Sequence, residues 1–421
     1  MGARVLIVAI AGSAALAYGC EKVSTKYCGM HKTDVENCGY QDAAIDAPPP
    51  CMSDNDCTMA TGLPRCDVAA GMCVQCLGSG DCSGSNAICN LGTHMCAGCV
   101  TNADCTTSGA CLLNGTCADA AAVLYVDGSA GSNAGTCTKA APCKTITFAQ
   151  SVAAGKTIYK LANTISDVVA IPAGPIVFLA DPSAKITNAT MDVVTVAAGG
   201  DVTMVGVTVD CALDAKSGIT SASATLRLHH ITVTNCGKPA ILTTMAGTLD
   251  LYASTIIGNT GGGVMADKGT SIDIENNFIV KNGNTATQGP GGFSWLATNP
   301  GNNIFQFNTV VGNACMKTDA MHSGGVTCGA LNTLAMPNNI VAGNVDQTGA
   351  SDTILTGCDF TGSLMDLTNV HFAGSNDYHL LPTSTGAIDK APDGSTIDID
   401  VDGEHRPFGS GKDYGADEYT P

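Results

Sequence analysis

Between Val202 and Asn344 apolar and polar positions alternate in short β-rich segments that recur along the chain. They read VTMVGVTV (202–209), LRLHHITV (226–233), LDLYASTI (249–256), IDIENNFI (272–279), less regularly NIFQFNTV (303–310), and PNNIV ending at Val341. Their last residues are Val209, Val233, Ile256, Ile279, Val310 and Val341, in steps of 24, 23, 23, 31 and 31 residues. Alternation puts Leu226 and Leu228 on one side of a strand and Arg227 on the other. It does the same with Leu249 and Leu251 around Asp250, and with Ile272 and Ile274 around Asp273. A period in the twenties with β-branched residues and Gly/Asn turns predicts a β-solenoid. No rung buries its inner face alone; the stack makes one continuous core.

Asn259, Asn282, Asn313 and Asn344 each stand three residues past one of these anchors. A side-chain amide at a turn bonds its own rung and the amide of the next, and Asn tolerates left-handed backbone. A structural ladder is therefore favoured over a ligand-binding one.

The composition fits a long all-β body. Of 421 residues only 13% are charged, 50 are Gly and few are aromatic, with room for two or three domains. The net charge of -18 argues against a nucleic-acid partner and disfavours attraction to acidic polysaccharides. The 22 Cys point to an oxidising compartment.

Residues 1–20 read as an export signal, with Arg4 before the apolar run LIVAIAGSAALA. The run is too short and too rich in Ala and Gly to favour a membrane span. It closes on Leu16-Ala17-Tyr18-Gly19-Cys20, which resembles a bacterial lipoprotein signal. That resemblance implies a lipid-carrying Cys20 and, with Glu21 next, anchoring to outer-membrane lipid. Ordinary secretion, with Cys20 paired or free, is the alternative. Residues 21–50 form a polar linker with a Cys28–Cys38 pair and a stiff DAPPP spacer.

Residues 51–119 carry twelve Cys in three quasi-repeats: Cys51, Cys57, Cys66, Cys73; Cys76, Cys82, Cys89, Cys96; and Cys99, Cys105, Cys111, Cys117. Each begins Cys-x5-Cys, with Asp56, Asp81 or Asp104 just before the second Cys. Modules this small cannot build a hydrophobic core, so two disulfides each are favoured over zinc or redox use of the Cys-x2-Cys pairs. Cys137 and Cys143 close a loop on each other. The array resembles Cys-rich modules of exported proteobacterial proteins, which suggests a stalk; protein binding is the alternative.

Tyr125, Val126, Asp127, Gly128, Pro142, Lys144, Thr145 and Ile146 resemble the opening of right-handed parallel β-helix proteins with a pectin-lyase-like fold. The resemblance implies a single-stranded solenoid over 122–376. Thr147 is expected to cap a short helix carrying Phe148, Ala149, Val152 and Ala153, laid over the first rung. Cys211 and Cys236 are placed to bridge adjacent rungs, and Cys315 and Cys328 to staple a loop, leaving Cys358 over. Tyr378, Leu380, Asp389, Asp402, Gly403, Arg406, Pro407, Asp413 and Glu418 resemble the C-terminal segment of choice-of-anchor β-helix proteins. Residues 377–421 are thus expected to cap the solenoid, with Arg406 on Asp402, Asp413 or Glu418.

The outward stripe Arg227, Asp250 and Asp273 is the candidate catalytic surface, with His229, Tyr252 and Glu275 nearby. Two carboxylates on neighbouring rungs suit acid–base cleavage of a glycosidic bond. A solvated sheet face is the preferred reading. Tyr252, His230 and Trp295 are candidate glycan-binding residues, Trp295 from a loop over Asn284–Asn303 or else folded onto the wall. Asp398, Asp400 and Asp402 resemble the start of a calcium loop, though Gly409 stands where its last acid belongs. An acidic turn is the competing reading, and no other cofactor is implied. The favoured function is a non-catalytic envelope lipoprotein for adhesion, touching a polysaccharide or surface protein. A polysaccharide lyase or hydrolase is the alternative.

Overall fold

The computed structural model describes residues 50–57, 62–82, 86–267, 269–286, 289–296, 303–316, 323–329, 334–351, 357–392 and 394–421. Cys20, the expected signal, the Cys28–Cys38 pair and the linker up to residue 49 lie outside them.

Three parallel sheets form the body, each taking one strand per rung. The first stacks Val123–Asp127, Ile158–Ala162, Gly174–Ala180, Gly200–Val205, Thr225–His229, Thr248–Tyr252, Ser271–Glu275 and Ile304–Gln306. The second runs from Thr164–Ser166 to Ile340–Ala342, and the third from Val169–Ile171 to Val326–Cys328. This is a parallel β-helix, as the periodicity predicts. Leu226, Leu228, Leu249, Leu251, Ile272 and Ile274 all lie in its core, at most 2% exposed.

The Asn ladder is present and fully buried. Asn259, Asn282 and Asn313 each donate Nδ2–H to Oδ1 of the next rung's Asn, at 2.9, 3.1 and 3.0 Å. A second ladder runs beside it through Asn277, Asn308 and Asn339, at 3.0 and 3.1 Å. It occupies the other end of the same short strands, so both turns flanking the second sheet are pinned from rung to rung.

The 31-residue steps are not filled by loop alone. Phe293–Trp295 and Val326–Cys328 are strands of the third sheet, in register with Val264–Ala266 and with each other. Cys328 therefore pairs with Cys358 on the following turn rather than with Cys315, which is buried elsewhere. Cys137–Cys143 and Cys211–Cys236 form as expected.

The short helix Ile146–Ser151 buries Ile146 and Ala149 in the main core beside Leu124 and Val126. Its cap is Thr145, whose hydroxyl accepts from Phe148 N–H; Thr147 instead bonds Asp167. Gly128, in the opening motif, passes so near the next rung that a Cβ would meet the Thr164 carbonyl at 1.9 Å.

The chain divides into two compact units. The described residues of one run to Cys82 and again over Cys89–Cys96, and hold the first two Cys modules. All three modules share one connectivity, first Cys to third and second to fourth: Cys51–Cys66 and Cys57–Cys73, Cys76–Cys89 and Cys82–Cys96, Cys99–Cys111 and Cys105–Cys117. The Asp before each second Cys reaches back to two backbone N–H groups. Asp56 accepts from Met52 and Ser53, Asp81 from Leu77 and Gly78, and Asp104 from Val100 and Thr101. The third module falls in the other unit, with the solenoid.

The C-terminal segment lies along a side of the solenoid. Tyr378, Leu380, Ala387, Val401 and Ala416 cluster with the outward residues Phe278, Val280, Val311 and Ile340 of the second sheet. Arg406 is buried beneath it. Its guanidinium donates to Glu418 Oε2 at 3.1 Å and to the Asp413 and Gly415 carbonyls, and its Cζ stacks 4.6 Å from the Phe307 ring.

Candidate functional site

The outer side of the first sheet changes character along the axis. On its early strands the outward residues Val123, Tyr125, Ile158, Val177, Leu179 and Val205 are mostly apolar, and they pack against Ala110, Leu112 and Ala118 of the third Cys module. The module is fastened there by Tyr125 Oη–H to the Ser108 carbonyl at 2.9 Å, Asn102 Nδ2–H to the Ala180 carbonyl at 2.8 Å, and Lys139 Nζ to the Thr107 carbonyl at 2.9 Å. Apolar outward positions call for a cover, and a disulfide-held module supplies it.

From Gly200–Val205, where Asp201 and Thr203 face out, the outward positions turn polar and the module's cover ends. At the far end the tail reaches the face, with Tyr252 against its apolar cluster and Ser395 Oγ–H donating to Gln306 Oε1 at 3.2 Å. Arg227, Asp250 and Asp273 stand in register, as do His229, Tyr252, Glu275 and Gln306. Strand stacking sets successive members about 4.8 Å apart. Arg227 turns away from the carboxylates to pair with Asp201, both side chains being about half exposed (42% and 48%). That makes it one half of a solvated ion pair, not a poised base. Asp250 bonds His229 Nε2 at 3.1 Å. The His229 ring lies 5.4 Å from Tyr252, and His230 meets Tyr252 edge-on at 6.0 Å.

Glu275 is pushed up to about 7, first by burial and then by the charges of Asp273 and Asp250, against a 2.6 Å hydrogen bond from Gln306 Nε2. Burial and the neighbouring Asp250 also raise Asp273, whose Oδ1 is buried and meets no donor among the described residues. Both carboxyls in this patch are thus harder to ionise than an ordinary carboxyl, and a protonated carboxyl donates as well as accepts.

Two cavities flank the turn that leads from the first sheet to the second. One of about 620 Å³ lies against the third module, lined by Asn102, Ser108, Tyr125, Lys160, Asp181 and His230 among others. Lys160 is buried there and paired with Asp181; burial lowers its pKa against the pull of that carboxylate. The other, about 470 Å³, is lined by His230, Ala253, Phe278, Tyr378, His379 and Asp402 among others. His230, exposed on a left-handed turn at φ 53°, borders both.

Of the residues singled out from sequence, Arg227, Asp250, Asp273, Tyr252 and His230 thus share one side of the molecule. Trp295 does not. It is 1% exposed in the core, with Nε1–H on the Thr270 carbonyl at 3.1 Å, so it presents no ring to a sugar. Asp398, Asp400 and Asp402 do not converge either. Asp400 is buried and both its oxygens accept backbone N–H groups, from Asp402, Glu404 and Glu418. Asp398 is exposed and Asp402 faces His379, so the stretch is an acidic turn. Gln306, Lys160 and Asp181 were not legible as site residues. The mostly apolar outward positions of the strands up to Leu179 were the available signal that the polar part of the face begins after them.

No family model matches the chain, and no curated protein does. Among solved structures the chain is similar to the crystal structure of pectate lyase Pel9A, at 16% identity and a TM-score of 0.41, over 71% of this chain and 96% of that one. The parallel β-helix itself stands on the three sheets. Nine disulfides among the described residues fit an extracellular or secreted protein.

Proposed function

We propose that this chain is an exported, envelope-displayed β-helix that holds an extracellular polysaccharide on the polar part of its first sheet, beyond the third Cys module. The observation that carries this reading is the in-register patch of Asp250, Asp273 and Glu275 beside the rings of His229 and Tyr252. Carboxylate oxygens accept from sugar hydroxyls, and rings offer apolar faces to pyranose C–H groups. The strand pitch repeats these groups at about 4.8 Å, close to the length of one sugar residue. The favoured ligand is a neutral glycan, because the carboxylates and the net charge of -18 repel uronates. Lipidation at Cys20 anchors the chain to outer-membrane lipid, and the first two Cys modules serve as a spacer.

A second reading, hydrolysis, is favoured by one observation: Glu275 is held near 7, a value suited to a general acid at neutral pH. Asp273 and Glu275 project from the same face of one parallel strand, two residues and so about 6.6 Å of backbone apart, a spacing of the order that inverting glycosidases use between their carboxyls.

The test is a binding panel of neutral glucans and mannans alongside pectate and alginate, with the products assayed for new reducing ends and unsaturated ends. Retention of a neutral glycan, weakened at least ~10-fold by Tyr252→Ala and by Asp250→Asn, supports the proposal. Preference for pectate or alginate, or variants that bind like the parent, sinks it. Reducing ends that vanish in Glu275→Gln establish the hydrolytic reading instead.

A further inference from the structure

His379 stands between two carboxylates beside the smaller cavity. Its Nδ1 bonds Asp377, and its Nε2 lies 2.9 Å from Asp402. The ring meets Phe278 edge-on at 5.2 Å, which fixes its plane. Asp417, only 5% exposed, closes the group; its Oδ2 accepts the Leu380 N–H at 2.6 Å. Donor atoms of His379, Asp402 and Asp417 all fall within 4.8 Å of one another.

We infer that His379, Asp402 and Asp417 form a binding site for a divalent transition metal, with zinc the best fit. Three observations converge on this. The donors come from three separate stretches of the tail, so their meeting is a product of the fold rather than of a local acidic run. Asp377 on Nδ1 supplies the outer carboxylate that metal-binding imidazoles use to fix their tautomer, leaving Nε2 as the ligand atom. The cavity beside His379 and Asp402 provides room for a fourth ligand from solvent.

An imidazole with two carboxylates selects zinc over calcium, which takes oxygen donors alone. Tetrahedral zinc with bonds of about 2.0–2.1 Å places its donors about 3.3 Å apart, so His379 Nε2 and Asp402 open slightly from 2.9 Å while the wider pairs, all within 4.8 Å, close up. Binding replaces the Nε2 proton of His379, which passes to solvent, and the metal's two positive charges offset the surrounding aspartates. The ion then ties the turns at 377–379, 400–402 and 417 to one another.

The purified full chain, freed of metal with a chelator, is titrated with Zn²⁺ by calorimetry and with Co²⁺ by visible absorption. We expect one ion per chain at micromolar affinity or better and the strong visible bands of four-coordinate cobalt. His379→Gln and Asp417→Asn should each weaken zinc ~100-fold, and Asp377→Asn about 10-fold. Asp402→Asn, at a half-exposed side chain, covers the case in which a buried variant fails to fold. It should lose the cobalt bands while keeping the parent's circular dichroism. Zinc binding unchanged in His379→Gln or in Asp402→Asn, or no binding at millimolar Zn²⁺, overturns the site. None of these readouts depends on the polysaccharide.

Discussion

Glu275 carries a pH dependence whose direction follows from its surroundings. Its folded value of about 7 lies above the ordinary 4.5. The fold therefore has its full benefit below pH 4.5 and loses it as pH rises through 7, a change of roughly 3 kcal/mol. Asp413, raised to about 6 mainly by burial, acts in the same direction. Denaturation midpoints measured between pH 4.5 and 7.5 should fall for the parent, and fall distinctly less for Glu275→Gln. The Asn ladders give a second expectation at this scale. Asn308 accepts from both Asn277 N–H and Asn277 Nδ2–H, and donates to the Ile274 carbonyl and to Asn339. Asn308→Ala strands several buried groups at once and should cost about 3 kcal/mol, read from urea unfolding. The first ladder was legible because its members fall at a fixed offset past the anchors. Its twin was equally periodic, two residues before Ile279, Val310 and Val341, but a polar residue that close to a strand reads as part of the strand.

Among the elements, the helix Ile146–Ser151 and the strands were legible where periodicity alone decides them. Choices between near neighbours were not. Thr145 and Thr147 are both competent caps, and only the chain direction into Ile146 decides that Thr145 faces the free N–H of Phe148. Cys315 was the expected partner of Cys328, with Cys358 left over, and rung stacking decides for Cys358 because Val326–Cys328 and Cys358–Asp359 lie on successive turns. The third Cys module offers an element-scale test. It covers Tyr125, Val177, Leu179 and Val205, so replacing Cys99 and Cys111 by Ser should uncover that face. A clear rise in binding of a hydrophobic dye is expected. The same replacement at Cys51 and Cys66, whose module sits in the other unit, should give a much smaller rise.

For the whole molecule, the β-helix was readable from one period and its turns, because each rung repeats the same burial problem. The division of labour on its outer wall was not. Whether an outward residue meets water, a module or the tail depends on segments distant in sequence, such as Asn102 on Ala180 or Asn276 on Ile399. The tail's acidic stretch shows the same limit: spacing suggested three convergent aspartates, whereas folding turned Asp400 onto backbone and Asp402 onto His379. The shared connectivity of the Cys modules has a consequence for how the chain is made. In every module the native partners are interleaved, so the two cysteines that emerge first during export, such as Cys51 and Cys57, belong to different bridges. An oxidant that joined thiols in their order of emergence would make two wrong bonds in each module. By that route every module reaches its native pairing only through thiol–disulfide exchange, so a host that reshuffles bonds is expected to yield more finished protein than one that only forms them.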